Sequence, residues 1–460
     1  MTLAQVRRKT ERIREFSAVP FLLVALVSVA GAVFRAAPQA VTGGPINAGD
    51  VAWMLTATGL VLLMTPGLSF FYGGMVRTKN VVSTMLQSFV AMGVISMLWI
   101  LVGFSLAFGD SFHGLIGNPL TYFMFTRVGA STHPDLAPTI PLILFALFQL
   151  KFAIITPALI TGSFAERVRF SSYLLFMCLF SVFVYSPLAH WTWHPDGFLH
   201  KLGVLDFAGG TVVHMSAGFA ALAGAMTLGR RRTHQAREAH TPANIPFVIL
   251  GTGMLWFGWF GFNAGSALSA SGQAAMAFAT TNTASAAAAL AWIFFDRMRG
   301  QKPSALGACV GAVVGLVAIT PAAGYVSIGE SMFIGTCASV VSNLMVHWKN
   351  ASTLDDTLDV FPCHGVGGMV GMLMTGLFAK DVGLTSGHGW TFLVHCGALV
   401  FVAAFSFCGS WMLYKLTNVI IPLRVSDEQE DIGLDLSQHG EVMQDSVVVT
   451  VDVPAFAKTA

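Results

Sequence analysis

Long apolar stretches separated by short polar turns recur along the whole chain, at residues 51–72, 81–108, 141–164, 173–188, 209–228, 245–262, 281–295, 306–325, 332–346, 365–377 and 393–416. A helix needs about 20 mostly apolar residues to cross a bilayer. Most of these stretches meet or approach that length, so the pattern predicts an all-α polytopic membrane protein with eleven transmembrane helices. Sorting the basic residues between spans by alternate sides supports the count. One side receives Arg77, Lys79, Arg167, Arg169, Arg230, Arg231, Arg232, Arg237, Arg297, Arg299, Lys302, Lys349 and Arg424, whereas the other receives only Arg127, Lys201 and Lys380. A single missed helix would scramble that alternation. Because cytoplasmic loops collect Lys and Arg, the segment before the first span is expected outside and the C-terminus inside.

The first residues read differently. Arg7, Arg8, Lys9, Arg12 and Arg14 precede a short apolar run, 19–29, followed by Ala30-Gly31-Ala32. That is the layout of a secretory signal peptide, expected over residues 1–32, with 33–50 as a periplasmic segment and 51–420 as the membrane domain. An additional uncleaved helix is the alternative. From Ile421 the chain turns polar and acidic, and 421–460 is expected as a cytoplasmic tail, either solvated or docked. It is too short for a catalytic domain.

Composition sharpens the membrane reading. The 460 residues are 55% hydrophobic and only 10% charged, against roughly a quarter charged in soluble proteins. A formal net charge of +2 gives no electrostatic case for nucleic acid. Six scattered cysteines without a C-x-x-C pair read as small apolar residues.

Eleven spans divide into five, five and one, and an odd-numbered unit repeated once yields halves of opposite topology. Such an inverted repeat places a substrate path at its interface near the midplane. The fifth span opens with Asp206 and reaches His214, and the tenth opens with Asp359 and reaches His364. The aspartate–histidine spacings differ, eight against five. Intramembrane ionisable residues usually face a cavity or a partner, and two at matching places point to a path. Metal binding needs a third ligand, and none sits at helical spacing from either histidine. Lys151 lies deep in the third span beside Gln149, and it is expected to face headgroups or a subunit contact.

The residues around these positions carry a resemblance. The run Asp206 to His214 (DFAGGTVVH) resembles the signature of the ammonium transporter (Amt/Mep/Rh) family, close to its bacterial Amt branch. Also similar are Pro66-Gly67 through Tyr72-Gly73-Gly74, Arg77 to Asn80, Phe164-Ala165-Glu166-Arg167 with Arg169-Phe170, Gly258 to Ser266, Asp359 to Gly368, and the tail segments Glu428 to Asp435 and His439-Gly440. Together they cover the chain from about Asp50 to Glu441.

The resemblance implies an eleven-helix fold with one pore per subunit of a homotrimer, no cofactor and no enzymatic activity. It implies that Trp193, with Ser266 and Phe148, receives ammonium or methylammonium in an outer vestibule. Phe152 and Phe262 would close the pore beneath, His214 and His364 would line it, and Asp206 and Trp259 would shape the vestibule. A PII-type regulatory protein is the implied cytoplasmic partner, membrane lipid the surrounding one, and the bacterial inner membrane the location. The function so implied is uptake of ammonium, with an ammonium sensor or a passive ammonia channel as alternatives.

Overall fold

The computed structural model describes residues 3–33 and 36–443, the first fifteen of them as backbone path only. The expected tail from 444 onward lies outside the described residues. Leu3–Val33 is one helix, in which Phe21, Leu22, Leu26 and Val29 point outward.

Eleven helical spans follow: Ala48–Met75, Thr78–Phe108, Leu142–Phe164, Phe170–Lys201, Gly210–Leu228, Ile245–Gly265, Gly272–Met298, Ala305–Ile319, Ile328–Ala351, Phe361–Phe378 and Gly389–Ile420. Nine are long and apolar enough to cross a membrane, among the described residues. The other two, the eighth and ninth, pack against the seventh and against each other.

Departures from the sequence boundaries have local causes. The eighth span stops at Ile319 because Pro321 cannot donate to the helix ladder. The seventh starts at Gly272, earlier than its apolar stretch, because the Ser271 hydroxyl caps the Ala274 N–H and alanines follow. The fourth runs through a π-helical turn at Ser181–Tyr185 to Trp193, where the chain turns at His194 before one further short helix, Phe198–Lys201. Between the second and third spans, residues 109–141 fold over one face, with a small antiparallel hairpin pairing Ser111–Phe112 with Ile116–Gly117.

Two seams hold the halves together. The first span packs along the sixth more extensively than any other pair, and a Cβ at Gly251 would collide with the Phe71 backbone. The fifth and tenth spans cross at Gly218 and Gly365, where a Cβ at Gly218 would overlap the Gly365 backbone. In a bilayer, where burial of apolar surface gives no drive between helices, such backbone-to-backbone approach through small residues is what holds spans together.

Candidate functional site

Both crossing helices begin in the same way. Asp206 accepts from the N–H groups of Gly209 (2.8 Å), Gly210 (2.6 Å) and Thr211 (2.7 Å) and from the Thr211 hydroxyl. Asp356 accepts from Val360 N–H (3.1 Å) and Phe361 N–H (2.7 Å). Three residues after each aspartate the chain turns left-handed, at Gly209 (φ 114°) and Asp359 (φ 59°). A π-helical turn follows, Gly210–Met215 in one helix and Phe361–Val366 in the other, and each turn carries its histidine. Wide turns of this kind are frequent at functional positions in helices.

This corrects the expected register of the repeat. The partner of Asp206 is Asp356, and Asp359 matches Gly209. Each capping carboxylate then stands eight residues before its histidine. Residue order alone points to Asp359, the aspartate nearest the apolar run. Only the hydrogen bonds distinguish the capping carboxylate from the left-handed residue after it.

The crossing brings the histidines together. Their Nδ1 atoms are 3.4 Å apart and the rings nearly parallel, with centroids 5.5 Å apart. A neutral pair at this distance shares one proton, one Nδ1 donating and the other accepting, which leaves one Nε2 bare and the other protonated. His214 Nε2 is buried without a protein partner, and both rings line a narrow, mostly apolar passage with Leu68, Ile155, Val313 and Trp259. No cluster of three metal-ligating side chains occurs among the described residues.

Phe152 and Phe262 lie at one end of that passage, tilted by 33° against each other with centroids 4.2 Å apart and both essentially inaccessible. On their far side a cavity of about 150 Å³ opens, lined by Phe152, Trp193, Ser266, Phe207, Gln149 and Asp135 among others. The Trp193 ring meets Phe152 edge-on at 5.7 Å, and its indole N–H donates to the Asp206 carbonyl at 3.0 Å. The hydroxyl of Ser266 donates to the Phe262 carbonyl at 2.9 Å, so its lone pairs remain free to accept.

Two expected placements change. Trp259 lies on the histidine side of the phenylalanine pair rather than in the cavity, stacked on His214 at 5.3 Å with its N–H on Thr320. It precedes Phe262 by three residues, nearly one helical turn, which puts it that much deeper. Phe148 is wholly buried behind Phe152, 5.0 Å from it, instead of walling the cavity. Lys151 is half-buried and lines neither space, and among the described residues it makes no ion pair.

The family model described as Ammonium Transporter Family matches residues 52–444. The chain belongs to the ammonium transporter family. It is 46% identical to the ammonium transporter of Aquifex aeolicus over 86% of this chain and 93% of that one. It is 43% identical to the ammonium transporter of Bacillus subtilis over 87% and 99%. Among solved structures, Saccharomyces cerevisiae Mep2 matches with a TM-score of 0.80 at 33% identity, covering 88% of this chain and 93% of that one. A protein described as a sensor Amt protein matches at 0.79 and 28% identity over 85% and 98%. Members of this family are transporters or channels, not enzymes.

On the face that carries most of the basic residues, this member of the ammonium transporter family has a buried ion network. Arg231 bridges Glu166 (2.7 Å) and Asp355 (2.9 Å), Glu166 also accepts the Arg77 N–H (2.7 Å), and Arg167 donates to the Asp355 carbonyl (2.6 Å). Burial alone would push both carboxyls up. For Glu166 the Arg231 charge and the Arg77 N–H reverse that, and for Asp355 Arg167 and Arg231 do so, and both end below the usual carboxylate range. The tail docks beside the network: Glu430 accepts from Arg232 N–H (2.7 Å) and pairs with Arg424 (2.6 Å). Asp435 accepts from Val82 and Ser83 N–H.

Proposed function

We propose that this protein carries ammonium across a bacterial cytoplasmic membrane, as a homotrimer with one pore per subunit and the basic face in the cytoplasm. The single observation that carries this reading is the succession of the cavity beside Trp193, the closed Phe152–Phe262 pair and the passage lined by His214 and His364. Orientation follows from the loop charges, since cytoplasmic loops gather Lys and Arg. The cavity then faces outward.

An ammonium ion entering it meets the face of Trp193. Cation–π attraction is worth about 0.5–1 kcal/mol at an exposed site and about 2 or more once water is lost. The Ser266 oxygen accepts one substrate N–H. Potassium has the same charge but no protons to donate, so such an acceptor discriminates where charge cannot. Below the phenylalanines a bare cation would pay tens of kcal/mol of desolvation in an apolar passage, so the substrate sheds its proton and crosses as ammonia. The bare imidazole nitrogen of the histidine pair accepts that proton and relays it inward, so that charge crosses together with the ammonia. Asp206 acts through the backbone, fixing the helix start that positions His214 and the carbonyl that holds Trp193.

The test is current across proteoliposomes holding the purified protein. Ammonium jumps should evoke inward current in the intact protein, and His214→Ala or His364→Ala should lower it at least tenfold. Absence of current in the intact protein overturns the reading. Flux without current would instead mean passive ammonia conduction. The likeness to a sensor Amt protein favours one rival, a receptor signalling through the basic face, and binding without any flux would establish it. A PII-type protein is the proposed cytoplasmic regulator, and a pull-down from nitrogen-replete cells that recovers none would remove it.

A further inference from the structure

Gln149 stands out in the outer cavity. It lies on the third span between Phe148 and Leu150, only 8% exposed, and it lines the cavity together with Trp193 and Ser266. Among the described residues its amide makes no hydrogen bond, and Oε1 is buried without a partner. Nothing in the protein fixes which end of the amide points inward, because oxygen and nitrogen can exchange places by a half-turn. A buried amide without partners costs free energy, and an occupant of the cavity that donates N–H bonds would select the orientation with oxygen toward it.

Asp135 adds charge at the mouth of the same cavity. The turn that presents it is well built: its own N–H and that of Leu136 donate to His133 Nδ1, both at 3.3 Å, and His133 and Ala137 exchange backbone bonds of 2.9 and 3.0 Å. Its carboxylate is exposed and forms no ion pair among the described residues. Lys201, the cation of the neighbouring helix end, is paired with Asp196 at 2.7 Å.

We propose that Gln149 and Asp135 complete the cation-receiving site, Gln149 by presenting its amide oxygen to a substrate N–H and Asp135 by drawing cations to the mouth. The inference rests on the ammonium reading above and adds to it a second directional acceptor beside Ser266. With four N–H groups, ammonium can satisfy both acceptors while resting on Trp193. A cation without N–H groups gains only the charge.

The experiment is the half-saturation concentration of ammonium-evoked current in proteoliposomes of the full chain. Gln149→Met keeps length and removes the acceptor, and it should raise half-saturation roughly five- to tenfold with maximal current retained, the worth of one hydrogen bond. Asp135→Asn should raise it about two- to threefold at low ionic strength and not at all in about 1 M salt, where the screening length falls to about 3 Å. Unchanged half-saturation in both variants, with intact current in the unaltered protein, overturns the inference and leaves the ammonium reading standing. If Gln149→Met yields no current, Gln149→Glu decides: a lowered half-saturation supports the placement and an unchanged or raised one overturns it. If the unaltered protein carries no current, the ammonium reading fails, and thermal-shift titration of the same variants with ammonium chloride decides the binding site separately, weaker binding in Gln149→Met supporting it and equal binding overturning it.

Discussion

Asp206 and Asp356 work as backbone anchors. Asp206 takes three N–H groups and one hydroxyl, so Asp206→Ala leaves several buried donors orphaned at about 1–3 kcal/mol each. We expect it to lose about 3 kcal/mol or more of stability in detergent denaturation and to lose ammonium current with it. Asp356 faces a different balance: burial first, and Asp359 beside it, push its carboxyl up to about 6 against the pull of Lys349. A raised acid favours the folded state while protonated. Its contribution is full below the usual aspartate value of about 3.9 and fades as pH rises through about 6. Asp356→Asn should therefore flatten that part of the stability profile between pH 4 and 7. Glu166 and Asp355 behave oppositely, since their depressed values give stability above the ordinary carboxylate range that is lost as pH falls below it. Arg231→Met would strand both buried charges at about 3–5 kcal/mol near neutral pH, and this penalty should shrink below about pH 4, where the carboxylates can protonate.

Among the elements, the crossing of the fifth and tenth spans decides whether the histidines meet. Gly218 lies one helical turn beyond His214, and its Cα hydrogen rests against the Gly365 backbone. Gly218→Val should push the helices apart, separate the Nδ1 atoms and lower ammonium current at least tenfold, whereas Gly253→Val, with open space around it, should leave current unchanged. The spans themselves were legible from apolar runs because a bilayer demands them. Their ends were legible only where a local residue dictates them, as Pro321 does. The broken starts of the fifth and tenth spans were not legible, since a π-helical turn has no residue pattern of its own.

For the whole molecule, the tail is the part whose state composition left open. Residues 421–443 fold back onto the basic face: the Leu423 carbonyl accepts from Arg169 N–H (2.8 Å), Val425 N–H donates to Arg167 (3.1 Å), and the Leu434 N–H reaches Asn80 (2.8 Å). The buried network and the tail therefore share Arg167 and the Arg231–Arg232 pair. Glu430→Ala combined with Asp435→Ala should release the tail, read as faster trypsin cleavage after Arg424, because proteolysis follows local opening. The half-buried Lys151 lines neither the cavity nor the passage beside the histidines, so Lys151→Ala should leave the half-saturation for ammonium within about twofold of the unaltered value.

By itself the sequence determined the membrane architecture, the alternation of sides, the pair of histidines and, through its motifs, the family. These follow from rules acting within a single segment or its immediate flank: apolar length, loop charge and residue order. The tertiary structure decided which aspartate caps the tenth span, that Trp259 and Phe148 withdraw from the vestibule, and that Glu166, Arg231 and Asp355 meet. The Asp356 cap is local, but Trp259 meets His214 from 45 positions away, and Arg231 reaches Glu166 and Asp355 across 65 and 124. Packing of the two halves brings them together, and no local pattern records it.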